Sequence, residues 1–554
     1  MTTIPETLSK ISPILCLYWH VLLSAISEAL FDRLVSRTHR HPLVQLQALL
    51  DFQPIEDACQ AYHLHNGLGS PVIHSVPRLV RILFLKYYGD YSLRQLEASL
   101  EYNLLYRWFA GYDLFDKTAD RTTINTFESY IQENYPRLYF DTVLRQLDEA
   151  YPKQRDEVQI GDTFAVEMAA AYEPLIPRLR HLADRLRRAY QKVEPEHYHQ
   201  ITPQLDWVGL AGEEKEAHYT RLTEAEKRDR LTRTVIAVTH FMGQLPTDLP
   251  PSVSQWTSYI EKVIFEEVKE VVDEESGEVR YRARRGSERR GKFRLVSATD
   301  PEATCRNHGK KMDNGYNASV ATTTDFIREI SVATGSEPDP VGIPRLLQAQ
   351  LDHHQLAPTK FIYDQAAGQG AYCHQVTELS AGRTQLVVNL VETGKQKDTF
   401  RPTDFNLCAD GLTLTCPNGR ITHQRYWRND GAGHNFNFSA GQCRGCPLLM
   451  ACRESEEYPT KRRTVFISHH HHALLLARTY TQTATFRAEM KLRPHVERVI
   501  AGLVRYNGAR RARFRGLKKV DFQMKMCAMA YNAKRWVQKR KRKKPPNVPR
   551  ERCV

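Results

Sequence analysis

The sequence predicts an α/β protein: a mixed sheet flanked by helices, with an all-α N-terminal domain and two insertions. Three observations predict it. Residues 75–111, "SVPRLVRILFLKYYGDYSLRQLEASLEYNLLYRWFAG", place apolar side chains at three- and four-residue spacing, the period of a helix. Short apolar or alternating runs at 157–168, 315–335 and 359–364 read as strands, with a helical pattern at 342–356 before the last. The stretches between these runs differ in kind: 170–290 is long and charged, whereas 376–470 is rich in turns and cysteines.

Taken in order, residues 1–150 form a helical domain broken at Gly89-Asp90, with Ser92 as the next cap and Thr122 or Thr123 as a later one. Helix, turn, helix, turn, helix suits a helix-turn-helix DNA reader and a small bundle equally. Residues 156–169 are the first core strand and carry Asp162, and 170–290 are a charged helical insertion ending in a hairpin near Glu275-Ser276-Gly277. Residues 291–375 return to core strands and carry Asp364, and 376–470 are the cysteine-containing insertion. Residues 471–538 are closing helices, read as 483–504 and 519–537, and 539–554 are a basic tail.

The 554 residues allow several domains and a large core. No run of about 18 apolar residues occurs, so no membrane span is expected. The apolar N-terminal stretch "ISPILCLYWHVLLSAI" lacks a basic start and reads as a core helix rather than a signal peptide. The net charge is +14, and residues 491–554 hold 21 Lys or Arg against three acids, +18, which leaves −4 for the rest. A basic segment on a near-neutral body points to a polyanion, most simply nucleic acid. In 505–519, "RYNGARRARFRGLKK", aromatics and glycines interleave with the charge, so Arg505, Arg510, Arg511, Arg513, Arg515, Lys518 and Lys519 are candidate phosphate contacts. The odd count of 11 scattered cysteines suits a reducing, cytoplasmic setting.

Asp162 lies within the first strand. Asp364 ends the buried run "KFIYD" and is followed by the small residues of "QAAGQG", which let a large partner approach. Two carboxylates on neighbouring strands suit oxygen ligation of Mg²⁺ or Mn²⁺. A third acid is offered by Glu497, four residues after Arg493, so the two share a helix face. Three acids around two metal ions suit phosphoryl transfer, with Glu497 on metal and Arg493 on phosphate. Glu167, near Asp162, is a rival ligand.

Over most of its length the chain resembles bacterial insertion-sequence transposases of the DDE type. The resemblance rests on "YSLRQLEASLEYNLLYRWFAGYDLFDKTADRTTINTF", "GDTFAVEMAA", "SATDPEA", "KKMDNGYNASVATTTDFI", "FIYDQAAGQG" and "LRPHVERVIAGLVRYNGARRARFRGLKKV". It implies a ribonuclease-H-like core, a metal-binding catalytic triad at Asp162, Asp364 and Glu497, and cleavage and strand transfer at the ends of a mobile element. It also implies a homodimer in the synaptic complex and a place at the bacterial nucleoid. The family's terminal Tyr-Arg-Glu-Lys signature is met at Arg493 and Glu497. Met490 stands at the Tyr position and Val504 at the Lys position, with Arg505 next to it. The rival readings are a metal-dependent endonuclease without strand joining and a domesticated, non-catalytic DNA-binding protein.

Cys443 and Cys446 have the knuckle spacing of tetrahedral zinc sites, and Cys416 and Cys452 complete a four-thiolate set, with Cys408 and His434 as alternative ligands. Such a site would fold the insertion rather than catalyse. The run "HHHH" at 469–472 reads as a polar linker before a helix.

Overall fold

The computed structural model describes residues 13–65, 73–155, 157–217, 221–272, 277–308, 311–391, 399–428, 431–453 and 462–542. The hairpin turn at 273–276 and most of the basic tail, 543–554, lie outside the described residues.

The core sheet is built on β1 (Gln159–Glu167), a strand because Ile160 and Val166 are buried in a run free of helix-period spacing. The remaining core strands are β2 (Thr304–His308), β3 (Lys311–Thr322), β4 (Ile327–Thr334), β5 (Lys360–Ile362) and β6 (Gln385–Val387). β3 runs antiparallel to β1 and pairs Val320 with Asp162, and β4 runs antiparallel to β3. β5 lies parallel to β1 on its other side, pairing Ile362 with Ile160, and β6 lies parallel to β5. The five principal strands therefore run β4-β3-β1-β5-β6, with β2 as a hairpin on the first part of β3. Two antiparallel steps on one side of the first strand and two parallel steps on the other make the ribonuclease-H-like order expected.

Close approach shapes the sheet. At Gly315 φ is +150°, and a side-chain carbon there would sit 2.0 Å from the Val166 carbonyl, so the β1–β3 crossing needs glycine. At Gly161 a methyl would press on the Phe361 and Tyr363 rings at 2.8 Å.

The N-terminal region is helical, including α1 (Val76–Tyr88) and α2 (Leu138–Ala150). Ser92 closes a capping box with Gln95, as read, whereas the later cap is Asp120, which accepts from the Thr123 amide at 2.7 Å. The helix Pro13–Arg37 departs from the core helix expected. It buries Ser27 and Phe31 but leaves Val21, Leu22, Ile26 and Leu30 exposed, because it packs along one face against Leu104–Ala110.

After β4, α3 (Gly342–His354) covers the sheet and α4 (Gly370–Leu379) packs on α3. The closing helices are α5 (His471–Thr481), Ala484–Met490, α6 (Pro494–Tyr506) and α7 (Leu517–Arg542). The single helix expected over 483–504 is thus two, because Pro494 has no N–H to donate back to the preceding turn and instead opens the second helix. The four histidines are not a linker: His471 is 3 % exposed and begins α5, and His470 packs its ring on His374 of α4 at 4.7 Å.

α7 is the keel of the molecule. It packs on β4 on one side and on α1 and α2 on the other, so one apolar cluster runs from the N-terminal helices through the sheet to α7. Asn532 bonds both backbone groups of Ile327, and Lys525 donates to the Ile330 carbonyl at 2.7 Å. Fully buried Glu329 is held by Arg137 at 2.8 Å and Lys525 at 3.5 Å. Burial resists its charge, and those two cations outweigh it and hold the carboxyl below the usual range. Removing one partner from such a group leaves a buried charge uncompensated.

Each insertion has its own core. Leu175–Val193, Glu224–Gly243 and Pro251–Glu267 pack together beside the hairpin Val268–Val272/Val279–Ala283. The cysteine insertion forms two three-stranded sheets around Phe405, Leu414, Phe436, Phe438, Val465 and Ile467. Among the described residues, no helix is long and apolar enough to cross a membrane.

Candidate active site

Sheet register brings the two aspartates together. Ile160 and Ile362 pair across β1 and β5, and Asp162 and Asp364 each follow two residues later. Since side chains repeat every two residues along a strand, the two carboxylates leave neighbouring parallel chains, about 4.8 Å apart, on the same side. α6 packs against β1 and delivers Arg493 and Glu497 to this edge. The Arg493 guanidinium reaches Asp162 Oδ2 at 3.3 Å and Glu497 Oε1 at 2.9 Å. One cation therefore links the first predicted acid to the third. Its Nε is buried without a hydrogen-bond partner in the protein, leaving one donor for an incoming acceptor.

Asp162 is the most perturbed acid here. Burial is the chief cause, the neighbouring Asp364 and Asp339 add to it, and the Thr163 amide and Arg493 oppose it; the result is a pKa raised to about 6. Asp364 is also raised, first by burial and then by Asp339, against the pull of Arg493 and the amides of Ala366 and Ala367. The Ala366 amide donates to Asp364 Oδ1 at 3.1 Å, so this acid also caps the turn after β5. Glu497 is the most open of the three, with 59 % of its side chain exposed.

Sequence reasoning missed Asp339. It sits in a short turn between two prolines, "EPDPVG", with nothing in the local pattern to mark it. It accepts hydrogen bonds from Thr163, from both terminal nitrogens of Arg306 and from Asn317. Burial raises its pKa, and these bonds outweigh burial and hold the carboxyl below the usual range. It stays ionised and adds negative potential behind Asp162 and Asp364. Glu167, the rival ligand, is turned to other work at the end of β1. It pairs with Arg510 at 3.0 Å, and its backbone bridges residues 510–512.

That bridge holds the basic segment beside the sheet. Asp300 and Tyr316 accept from the Gly516 amide, and Glu302 accepts from the Leu517 amide at 2.7 Å. Arg505, Arg510, Arg511, Arg515, Lys518 and Lys519 are exposed. Arg513 is only 26 % exposed; it pairs with Asp90 and so ties this segment to the N-terminal domain. Arg511→Ala should therefore lower the slope of log affinity for duplex DNA against log salt by about 1. Arg513→Ala should instead loosen the docking of the N-terminal domain, read as faster proteolysis between the two. An equal slope change from both variants would contradict this division.

Oxygen donors and crowded negative charge at Asp162, Asp364 and Asp339 fit a hard divalent cation such as Mg²⁺ or Mn²⁺. Among the described residues, no three His, Cys, Asp or Glu side chains gather closely enough to hold a metal ion as they stand, because Arg493 lies between Asp162 and Glu497. The same holds for the described cysteines, among which there is no disulfide. Cys416, Cys443 and Cys452 do line one small apolar core, and the Arg420 amide donates to Cys416 Sγ at 3.3 Å.

Residues 415–537 match the family described as transposase DDE domain. Residues 31–130 match the family described as transposase domain (DUF772). The first match spans Glu497, whereas Asp162 and Asp364 lie outside both. No curated protein and no solved structure matches the chain. A transposase family model therefore matches toward each end of the sequence, and the two matches support an insertion-sequence DDE transposase.

Proposed function

We propose that the protein cleaves DNA at the ends of an insertion sequence and joins the freed ends to a target, using Asp162, Asp364 and Glu497. The observation that carries this reading is the shared register of Asp162 and Asp364 on parallel strands, with Arg493 spanning from Asp162 to Glu497. The two aspartates would hold Mg²⁺ or Mn²⁺, and Glu497 would complete the set once Arg493 turns to a phosphate. A bound divalent cation supplies Lewis-acid activation of the attacking oxygen and stabilises the leaving one.

The chain's own residues do the rest. Arg493 presents its unpartnered Nε to a phosphate oxygen of the scissile group. Asp339, ionised and fixed by Arg306 and Thr163, keeps the β1–β5 edge negative and orients β1 through Thr163. In cleavage, water attacks phosphorus and the 3′-oxygen leaves with a proton. In joining, that 3′-hydroxyl attacks a target phosphodiester and a new 3′-oxygen leaves. No covalent enzyme intermediate is needed, so phosphodiester bonds are conserved in the joining step. The exposed basic residues of 505–519 would grip the duplex, and two element ends would be held by two copies. The cysteine set Cys416, Cys443, Cys446 and Cys452 would hold a structural Zn²⁺.

The test is a gel assay with pre-cleaved element ends, a supercoiled target plasmid and Mg²⁺. Joined products support the proposal. Cleavage of uncut ends without any joined product would leave a metal-dependent endonuclease, and binding without either would leave a DNA-binding protein.

A further inference from the structure

The cysteine insertion carries a surface that the catalytic reading does not use. Its strand Arg425–Trp427 is the edge of the sheet it forms with Gly433–Phe438 and Arg463–Ser468. Every residue from His423 to Arg428 is exposed. Tyr426 is 47 % exposed and Trp427 57 %. Adjacent large aromatics on an edge strand are unusual for a surface with no partner, since edges are ordinarily blunted by charge, proline or cover.

The aromatic side chain is also held in place. The His434 ring meets Trp427 edge-on at 4.8 Å, and the His469 ring lies 5.1 Å away. The Arg428 guanidinium stacks over Phe466 at 4.7 Å, and Arg425 donates to the Gly411 carbonyl at 3.0 Å. An indole fixed by its neighbours while half of it faces solvent loses little freedom on meeting a flat partner. The surroundings are basic on balance: residues 405–452 contain Arg420, Arg425, Arg428 and Arg444 against Asp410 and Asp430. Arg420 and Arg444 are exposed. The face is tied to the active site too. His470, next to His469, stacks on His374 of α4, the helix that begins six residues after Asp364.

We infer that the Arg425–Trp427 edge is a stacking platform for unpaired DNA bases, with its arginines on the flanking phosphates. Bases inside a duplex already stack on one another, so a presented indole is of use to a strand that has come apart. The inference rests on the transposase reading for the presence of such a strand near Asp364. The charge favours a nucleic acid over a second copy of the chain, which would have to place its own body, near neutral overall outside residues 491–554, against four arginines.

The test uses the full-length protein in EDTA, so that cleavage plays no part and failure of the catalytic reading is read separately, in the joining assay. Fluorescence anisotropy follows a labelled oligothymidylate and a random duplex, each of roughly 20 nucleotides per strand. Trp427→Ala should weaken oligothymidylate binding by about 5- to 100-fold and change duplex binding by less than about twofold. Trp427→Phe, which keeps a ring, should retain most of the affinity. Replacing both Arg425 and Arg428 with Ala should flatten the salt slope for the oligothymidylate by about 1.4. Unchanged oligothymidylate binding by Trp427→Ala would overturn the inference, as would an equal loss on duplex or an equal loss by Trp427→Phe. A shift in mass by light scattering with Trp427→Ala, at unchanged oligothymidylate affinity, would assign the edge to a second copy instead.

Discussion

Asp364→Asn is expected to lower strand cleavage by about 10³-fold or more while leaving duplex binding within about twofold. The substitution keeps the size of the side chain and its acceptor toward the Ala366 amide, so the turn after β5 should hold. It removes one of the two charges that sheet register sets side by side. A divalent cation that polarises a phosphodiester contributes several kcal/mol to the transition state, and each 1.36 kcal/mol is tenfold in rate. Duplex affinity rests on the exposed cations of 505–519 and should not follow the loss. Product formation against time on a gel, with affinity measured in parallel, checks both halves. A variant that cleaves at the parental rate would remove Asp364 from the mechanism.

Asp162→Asn is expected to stabilise the protein near neutral pH in the presence of a chelator. Burial, with Asp364 and Asp339 nearby, raises the Asp162 carboxyl from 3.8 to about 6 in the folded chain. Only below about pH 3, well under the unfolded value of 3.8, is this acid protonated in both the folded and the unfolded chain and free of penalty. As pH rises the unfolded chain ionises first, so stability falls, and the loss is complete once pH passes 6. At 1.36 kcal/mol per pKa unit the penalty is about 2 to 3 kcal/mol at pH 7.5. Asparagine does not ionise and escapes it. Thermal unfolding should show a Tm several degrees above the parent at pH 7.5, with the gap closing as pH falls to about 3. Added Mn²⁺ should raise the parent's Tm and not the variant's. A variant less stable than the parent at pH 7.5 would mean that Asp162 is a structural hydrogen-bonding residue.

These acids could be read from the sequence because each lies in a strongly patterned element. Asp162 interrupts an alternating run, Asp364 ends an apolar one, and Glu497 follows Arg493 at helical spacing. What escaped depends on partners far along the chain. Asp339 acquires its role only when Arg306, Thr163 and Asn317 converge on it, and a turn between prolines carries no trace of that. Arg513 looked like its basic neighbours, yet its partner Asp90 lies 423 residues away. The histidine run looked polar because ring packing against His374 and Trp427 is a property of the assembled insertion. The break before Pro494 was local and legible, but the apolar period on both sides of it masked the stop.

The convergence of Asp162, Asp364 and Glu497 is tested most directly by diffraction from a crystal soaked in Mn²⁺ and recorded with anomalous signal. The account predicts a peak bridging the Asp162 and Asp364 carboxylates, with Glu497 turned toward it and Arg493 displaced from Asp162. Manganese bound only elsewhere, with the Arg493 bridge intact at saturating ion, would contradict it.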